Sequence, residues 1–268
     1  ASGAAPLAGR VLLLLKRPMI ELHLIGIGTG NPDHLTLQAI KALNAADLIL
    51  IPRKGETKAD LAELRRSICA DVLTNPASRV AEFDLPVRDA MNPSYREGVD
   101  NWHEAIAAVW KDTILAEIGR EGRVALLVWG DPSLYDSTLR IAQRVSRTLP
   151  LSVHVVAGIT SLQVLTAAHA IPLNEVGEPF IVTTGRQLRD HGWPLGVDTV
   201  AVMLDGDCSF HAIASDGVAI WWGAYLGMEN ELLIAGPLSE VSDRIVAARE
   251  KARARYGWIM DIYILRRA

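Results

Sequence analysis

The sequence predicts an α/β fold made of two α/β units, with the binding cleft between them. Two observations predict this class. From Met19 onward, short apolar runs alternate with segments whose apolar residues recur at helical spacing. Glycine-rich loops follow several predicted strands, and ligands of open α/β sheets bind at such strand ends. The chain has 268 residues, 50% of them hydrophobic, which is enough for two units of this kind.

The first predicted unit, residues 19–171, alternates strands with helices and therefore favours a mainly parallel sheet. The run 124–129 is apolar throughout, which is typical of a central strand buried on both faces. The second strand is expected to stop at Pro52. The predicted strands are 20–25, 47–51, 79–84, 124–129 and 152–156; the predicted helices are 36–45, one from about 60, one from the loop at 92–94 to about 118, 137–147 and 160–170.

The second predicted unit, residues 172–268, follows a hinge at Ile171-Pro172-Leu173. Strands outnumber helices here and short turns join some of them, which predicts a mixed sheet. The predicted strands are 180–183, 199–204, 219–225, 232–235 and 259–265, and one helix is predicted near 239–254.

Residues 1–18 are expected to be an N-terminal extension or leader outside the core. The apolar run at 11–15 is shorter than the roughly 20 residues of a membrane-spanning helix or the roughly 7–15 of a signal peptide. We therefore expect no targeting signal, no membrane contact and a cytoplasmic protein.

Charge and cysteine content exclude several classes of function. The formal net charge is −4, so the chain lacks the basic surface that general nucleic-acid binding needs. Cys69 and Cys208 are far apart and have no nearby Cys or His partner, which argues against disulfides and against a zinc site. We expect no metal, a reducing compartment and no nucleic-acid partner.

The first glycine-rich loop, LIGIGTGNPDHLT at 24–36, resembles a dinucleotide-binding turn. The full G-x-G-x-x-G pattern is not met because position 31 is Asn. The acidic residue about 20 positions later is Asp47, which opens the second strand, whereas a ribose-binding carboxylate belongs at a strand's carboxyl end. The placement therefore argues against a Rossmann site.

Four further segments carry chemistry at strand ends. Gly130-Asp131-Pro132 follows the central strand, and Thr160 and Ser161 open a helix after Gly158. The other two are TVAVMLDGD at 199–207, which contains Met203, and IWWGAYLGMENE at 220–231.

In order, spacing and residue type, these five segments resemble the tetrapyrrole methylases, and the resemblance extends from Met19 to the end of the chain. It implies two α/β domains with S-adenosylmethionine between them, S-adenosylhomocysteine as product, and a homodimer. The cofactor-binding residues that it implies are Thr29, Gly130, Asp131, Leu134, Tyr135, Thr160, Ser161, Met203, Leu204, Ala224 and Gly236.

The segments 52–69, 129–141, 221–231 and 257–267 resemble the members of this family that remove an acetyl group. The implied reaction methylates C1 of precorrin-5, a tetrapyrrole with many carboxylates, and releases acetate to give precorrin-6A. Arg53 and Lys54 follow a strand end and are the predicted ligands of substrate carboxylates.

Two departures from the family pattern limit what the resemblance implies. Thr29 stands where many members have Pro, and Pro52-Arg53-Lys54 replaces an Asp suspected of proton transfer in uroporphyrinogen methylases. The catalytic residues stay open. Tyr135, His103, His169 and Asp205 are considered for the deacylation, and the sequence selects none of them.

Three other functions remain open. The first is another precorrin C-methyltransferase of the same fold. The second is an NADP-dependent oxidoreductase in which Arg53 meets the 2′-phosphate. The third is a non-catalytic tetrapyrrole-binding or scaffold protein.

Overall fold

The computed structural model describes residues 19–53, 59–89 and 94–267 and arranges them around two five-stranded sheets. The first sheet is parallel, in the order β3-β2-β4-β1-β5. Its strands are β1 (Ile20–Gly26), β2 (Leu48–Arg53), β3 (Arg79–Asp84), β4 (Gly122–Val128) and β5 (Leu151–Val156), and its helices are α1 (Leu37–Asn44), α2 (Ala59–Val72), α3 (Tyr95–Glu117) and α4 (Thr138–Val145).

The second sheet is mixed, as predicted, in the order β6-β7-β10-β8-β9. Only β6 and β7 run parallel among its described pairs. Its strands are β6 (Phe180–Thr184), β7 (Thr199–Met203), β8 (Val218–Ala224), β9 (Leu232–Pro237) and β10 (Asp261–Arg267), and the remaining helices are α5 (Ser161–His169), α6 (Gly185–His191) and α7 (Leu238–Tyr256).

The predicted central strand is confirmed. β4 lies between β2 and β1, and alternate residues point to opposite faces of the sheet. Val124 and Leu126 pack into a core with residues of α3 and α4, while Ala125 and Leu127 pack into a core with residues of α1 and α2. Burial on both faces is the reason for the uninterrupted apolar run.

The predicted end of the second strand at Pro52 is wrong. β2 continues to Arg53 and pairs with β3 along its whole length, but it pairs with β4 only up to Leu50. Beyond Leu50 the strand has a partner on one side only, so the missing N–H of Pro52 breaks no ladder.

Helix α6 was not predicted. It has seven residues, begins at Gly185 and buries only one large apolar side chain, Leu188, so it shows no helical periodicity. The signal that the sequence does contain is Thr184, whose hydroxyl accepts a hydrogen bond from the N–H of Gln187 and caps the helix.

Helix α5 belongs by packing to the second sheet. Its Leu162 and Leu165 share a core with Ala201, Ile262 and Ile264 of that sheet. The division of the chain at residues 171 and 172 stays a prediction. Residues 1–18 lie outside the described residues, and in the described part of the chain no helix is both long and apolar enough to cross a membrane.

Candidate active site

Three loops of the first sheet meet backbone to backbone at its carboxyl edge. Gly26 ends β1, Gly130 follows β4 and Gly158 follows β5. A Cβ atom on Gly158 would lie 2.0 Å from the carbonyl oxygen of Gly130 and 2.7 Å from the Cα of Gly26. Gly130 also donates its N–H to the carbonyl of Gly28 at 2.7 Å. The close approach leaves room only for glycine at positions 26 and 158, while Gly130 has a φ angle of 61°, which favours glycine.

Asp131 joins two of these loops through its carboxylate. Oδ2 accepts a hydrogen bond from the N–H of Gly158 at 2.9 Å, and Oδ1 accepts one from the N–H of Ser133 at 2.8 Å. Burial alone would raise the pKa of Asp131, but the hydrogen bonds from Ser133 and Gly158 outweigh it and hold the pKa below its usual value. The carboxylate is therefore charged at neutral pH and fixes the geometry of the loops.

These loops and the second sheet enclose a cavity of about 370 Å³, a size typical of small-molecule sites. The predicted cofactor-binding residues that line it are Thr29, Gly130, Asp131, Leu134, Tyr135, Thr160, Ser161, Met203 and Leu204. Thr160 also caps α5, because its hydroxyl accepts a hydrogen bond from the N–H of Leu162.

Two predicted cofactor-binding residues, Ala224 and Gly236, are not among the described residues that line the cavity. Ala224 is fully buried in β8, beside the cavity residue Asp261 in the antiparallel pair with β10. Gly236 lies on the edge strand β9 opposite Ile220, four positions or about 13 Å along β8 from Ala224. Gly236 therefore lies far along the sheet from Asp261, the cavity residue that is paired with Ala224.

The cavity wall includes strained backbone. Tyr135, Leu204 and Tyr225 line the cavity and have φ angles of 49°, 52° and 51°. Residues with a Cβ atom rarely adopt such φ angles, and residues held in this conformation cluster at functional sites. The side chains of Tyr135 and Leu204 are both exposed to solvent.

A buried ion pair forms the cavity wall on the second sheet. Nε of Arg249, on α7, lies 2.9 Å from Oδ2 of Asp261, on β10. Arg249 also donates to the carbonyl oxygen of Asp205 at 2.6 Å, and Trp222 donates to Asp261 at 2.8 Å. Burial raises the pKa of Asp261, while the charge of Arg249 and the hydrogen bond from Trp222 oppose the rise.

This wall was not predicted from the sequence. Arg249 shares one face of α7 with Val241, Ile245 and Ala252, all buried, so a charged residue at an apolar position was the available signal. The lining residues that were not predicted are Gly28, Trp129, Asp136, Gly206, Tyr225, Leu226, Arg249, Arg253, Ile259, Met260, Asp261 and Ile262.

Comparison with known proteins decides the family. Residues 21–242 match the family model described as Tetrapyrrole (Corrin/Porphyrin) Methylases. The chain belongs to the tetrapyrrole methylases. It is 50% identical over 251 residues to a precorrin-6A synthase [deacetylating] from Sinorhizobium sp, which covers 93% of this chain and 96% of the relative.

Solved structures of relatives share this fold. The cobalamin synthesis related protein CobF from Corynebacterium diphtheriae is 38% identical, with a TM-score of 0.79 over 93% of this chain and 99% of that one. The uroporphyrin-III C-methyl transferase from Thermus thermophilus, solved in complex with S-adenyl homocysteine, is 19% identical, with a TM-score of 0.57 over 91% of both chains.

Tetrapyrrole methylases use S-adenosylmethionine, and the cavity fits this cofactor. The glycine loops bring backbone close to the cavity, and Gly206 leaves open space, since a Cβ there would meet no atom within 4 Å. Met203, Leu204 and Met260 supply apolar wall, and four carboxylates suit a cofactor that carries a sulfonium. Those carboxylates belong to Asp131, Asp136, Asp205 and Asp261.

Thr29, the departure from the usual proline of the family, links the two halves of the site. Its hydroxyl donates to the carbonyl oxygen of Leu226 at 2.6 Å and contacts Nδ1 of His34 at 3.1 Å. We expect Thr29→Val to lower the free energy of unfolding by about 1 kcal/mol and to weaken S-adenosylhomocysteine binding severalfold. Thr29→Ser keeps the hydroxyl, so it should have wild-type stability in urea unfolding and wild-type S-adenosylhomocysteine binding in calorimetry. Equal losses in the Ser and Val variants would contradict this prediction.

The side chains considered for the deacylation lie in different places. Tyr135 and Asp205 line the cavity. His103 is buried on α3, and Nε2 of His169 lies 3.0 Å from the carbonyl oxygen of Trp222; neither lines the cavity among the described residues. The structure thus separates the two histidines from the site.

Asp205 is held by hydrogen bonds that leave it unsuited to take a proton. Its carboxylate accepts from the hydroxyl of Tyr263 at 2.6 Å and from the N–H of Ser209 at 2.7 Å. Burial alone would raise the pKa of Asp205, but these bonds and that of Asp207 hold it below its usual value. The phenol of Tyr135 donates to the carbonyl oxygen of Val182 at 3.3 Å, and burial raises its pKa, so it stays protonated.

His103 makes stability depend on pH. Burial, followed by the charge of Arg144, lowers the pKa of His103 below 6.5. The unfolded chain then binds the proton more readily, so this contribution to stability is complete above about pH 6.5 and is lost as the pH falls below it. We expect His103→Leu to flatten the change in unfolding free energy between pH 7.5 and 5.5; an unchanged slope would contradict the assignment.

The predicted substrate ligands do not line the cavity among the described residues. Nε of Arg53 lies 3.0 Å from Oδ1 of Asp84 and 3.8 Å from Oε2 of Glu82, both on β3. Lys54 lies outside the described residues. Arg253, exposed on α7, does line the cavity.

Proposed function

We propose that this chain methylates C1 of precorrin-5 with S-adenosylmethionine and releases the acetyl group as acetate, giving precorrin-6A. The observation that carries the proposal is the 50% identity to a deacetylating precorrin-6A synthase along nearly the whole chain. A cavity built from the predicted strand-end loops supports it.

Methyl transfer depends on alignment more than on a base. The bound cofactor supplies an electrophilic methyl group on a sulfonium. The chain's own contribution is positioning: the Gly26, Gly130 and Gly158 contacts and the carboxylate of Asp131 fix the loops before any ligand binds. Positioning of this kind contributes several kcal/mol to a displacement.

Loss of the acetyl group requires water. Water adds to the acetyl carbonyl carbon, the bond from that carbon to C1 breaks, and its electron pair passes to the macrocycle, where C1 attacks the methyl group. Acetate leaves with the oxygen from water, and the two protons of that water pass to solvent. Tyr135 lines the cavity with a protonated phenol, whose single O–H would turn from the carbonyl oxygen of Val182 to the developing oxyanion.

The substrate carboxylates need cations at the opening, although the whole chain carries a net charge of −4. Arg253 is exposed at the cavity, whereas Arg249 is buried and paired with Asp261. We therefore propose that Arg253 binds a carboxylate of the substrate, with which its guanidinium can form two parallel hydrogen bonds. Arg53 is paired with Asp84 and is the weaker choice.

The reaction itself tests the proposal. The purified chain is incubated with precorrin-5 and S-adenosylmethionine, and S-adenosylhomocysteine and acetate are quantified. We expect equal amounts of both. Methyl transfer without acetate would identify another precorrin C-methyltransferase of the same fold, and release of neither product would favour a non-catalytic tetrapyrrole-binding protein.

Binding separates the proposal from an NADP-dependent oxidoreductase. In that function Arg53 would bind the 2′-phosphate and Asp47 would bind the ribose. Arg53 is already paired with Asp84, and the carboxylate of Asp47 already accepts a hydrogen bond from the N–H of Arg123 at 2.7 Å. We expect calorimetry to detect S-adenosylhomocysteine binding and no NADP binding. The reverse result would support the oxidoreductase.

We also propose a homodimer that works in the cytoplasm. Both proposals rest on the membership of the chain in the tetrapyrrole methylases. Light scattering of the purified protein should give twice the chain mass of 29.1 kDa. A monomer at working concentration would contradict the homodimer.

A further inference from the structure

A cluster of possible metal ligands lies on the first sheet, outside the cavity. His23 on β1 is directly opposite His154 on β5, and their rings stack with centroids 4.8 Å apart and an interplanar angle of 19°. Glu21 lies two residues before His23 and therefore shares its face of the strand. One ligand atom from each of the three side chains lies within 4.8 Å of the other two.

The surroundings of His23 indicate a missing partner. Its Nε2 is buried and has no hydrogen-bond partner among the described residues, and the nearest carboxylate oxygen, Oε2 of Glu21, is 3.9 Å away. Buried ring nitrogens of this kind are normally satisfied by protein, water or an ion. A cation between His23, His154 and Glu21 would satisfy it.

Two neighbouring side chains form hydrogen bonds with these proposed ligands. Nε of Arg123 donates to Oε2 of Glu21 at 3.0 Å, and Ser152 Oγ lies 3.1 Å from Nε2 of His154. A carboxylate has a second oxygen, so Glu21 can keep Arg123 and still bind a cation. His154 is exposed on the edge strand β5, which leaves an entry path from solvent.

We propose that Glu21, His23 and His154 form a binding site for a divalent first-row transition ion of the Zn²⁺ type. Two imidazoles and one carboxylate are a ligand set that suits Zn²⁺, while Mg²⁺ prefers oxygen ligands. Bound metal holds β5, the edge strand of the first sheet, to β1. The expected consequence is greater stability of the folded chain rather than a step in methyl transfer.

Titration of the untagged full-length chain with Zn²⁺, after chelator treatment, tests the site. We expect one bound equivalent, a melting temperature that rises with Zn²⁺, and no effect of Mg²⁺. His154→Gln and His23→Gln should each weaken Zn²⁺ binding at least tenfold. His191→Gln, which alters an exposed histidine at the end of α6, is the matched control and should leave binding unchanged.

Two outcomes would overturn the proposal. One is the absence of Zn²⁺ binding to the wild-type chain, and the other is binding that survives His154→Gln unchanged. His154 is exposed, so this variant should fold and melt normally in the presence of chelator, and it keeps the test decisive even if His23→Gln unfolds.

Discussion

Gly158→Ala is expected to lower the free energy of unfolding by about 3 kcal/mol and to abolish measurable S-adenosylhomocysteine binding. The added methyl group would lie 2.0 Å from the carbonyl oxygen of Gly130 and 2.7 Å from the Cα of Gly26. Both are backbone atoms, so no flexible side chain can move aside. Relief of the clash requires the loops to separate. Because these loops form the cavity wall, stability and binding should be lost together in urea unfolding and calorimetry.

Gly206→Ala is the matched control. Gly206 also lines the cavity, but a Cβ there would meet nothing within 4 Å, and its φ angle lies outside the left-handed region. The variant should unfold within about 0.5 kcal/mol of wild type. Wild-type binding in Gly158→Ala would show that the three-loop contact does not form the cofactor site.

Arg249→Met is expected to lower the free energy of unfolding by about 3–5 kcal/mol, because it leaves the carboxylate of Asp261 buried without its cation. The arginine and aspartate side chains are only 7% and 9% exposed, so solvent does not replace the lost partner. The variant also removes the hydrogen bond to the carbonyl oxygen of Asp205. Urea unfolding measures the loss.

Arg253→Met, one turn further along α7, provides the comparison. Arg253 is exposed, so its replacement should change stability by no more than about 0.5 kcal/mol. If it binds a substrate carboxylate as proposed, it should raise KM for precorrin-5 without changing unfolding. Equal stability of the Arg249→Met and Arg253→Met variants would contradict the role given to the buried pair.

The sequence was sufficient to predict the elements whose apolar pattern reflects burial. The run in β4 is apolar because both faces of that strand are covered, and the strand is central as predicted. The end of β2 was mispredicted at Pro52 because the sequence does not reveal which side of a strand has a partner. Helix α6 was missed because Leu188 alone gives no periodicity.

Site residues were predictable where they lie close in sequence to a strand end, and not where only tertiary packing brings them together. Gly130, Asp131 and Thr160 lie within four residues of a strand end, and they do line the cavity. Arg249 and Asp261 come together only when α7 packs on the second sheet, so no local pattern joins them.

A crystal structure of this protein with S-adenosylhomocysteine tests most directly whether the cofactor lies between the two sheets. We expect its density in the cavity between the loop at Gly130 and Asp131 and the wall at Met203 and Leu204. Density at any other place on the molecule, with this cavity free of ligand, would contradict the proposed site.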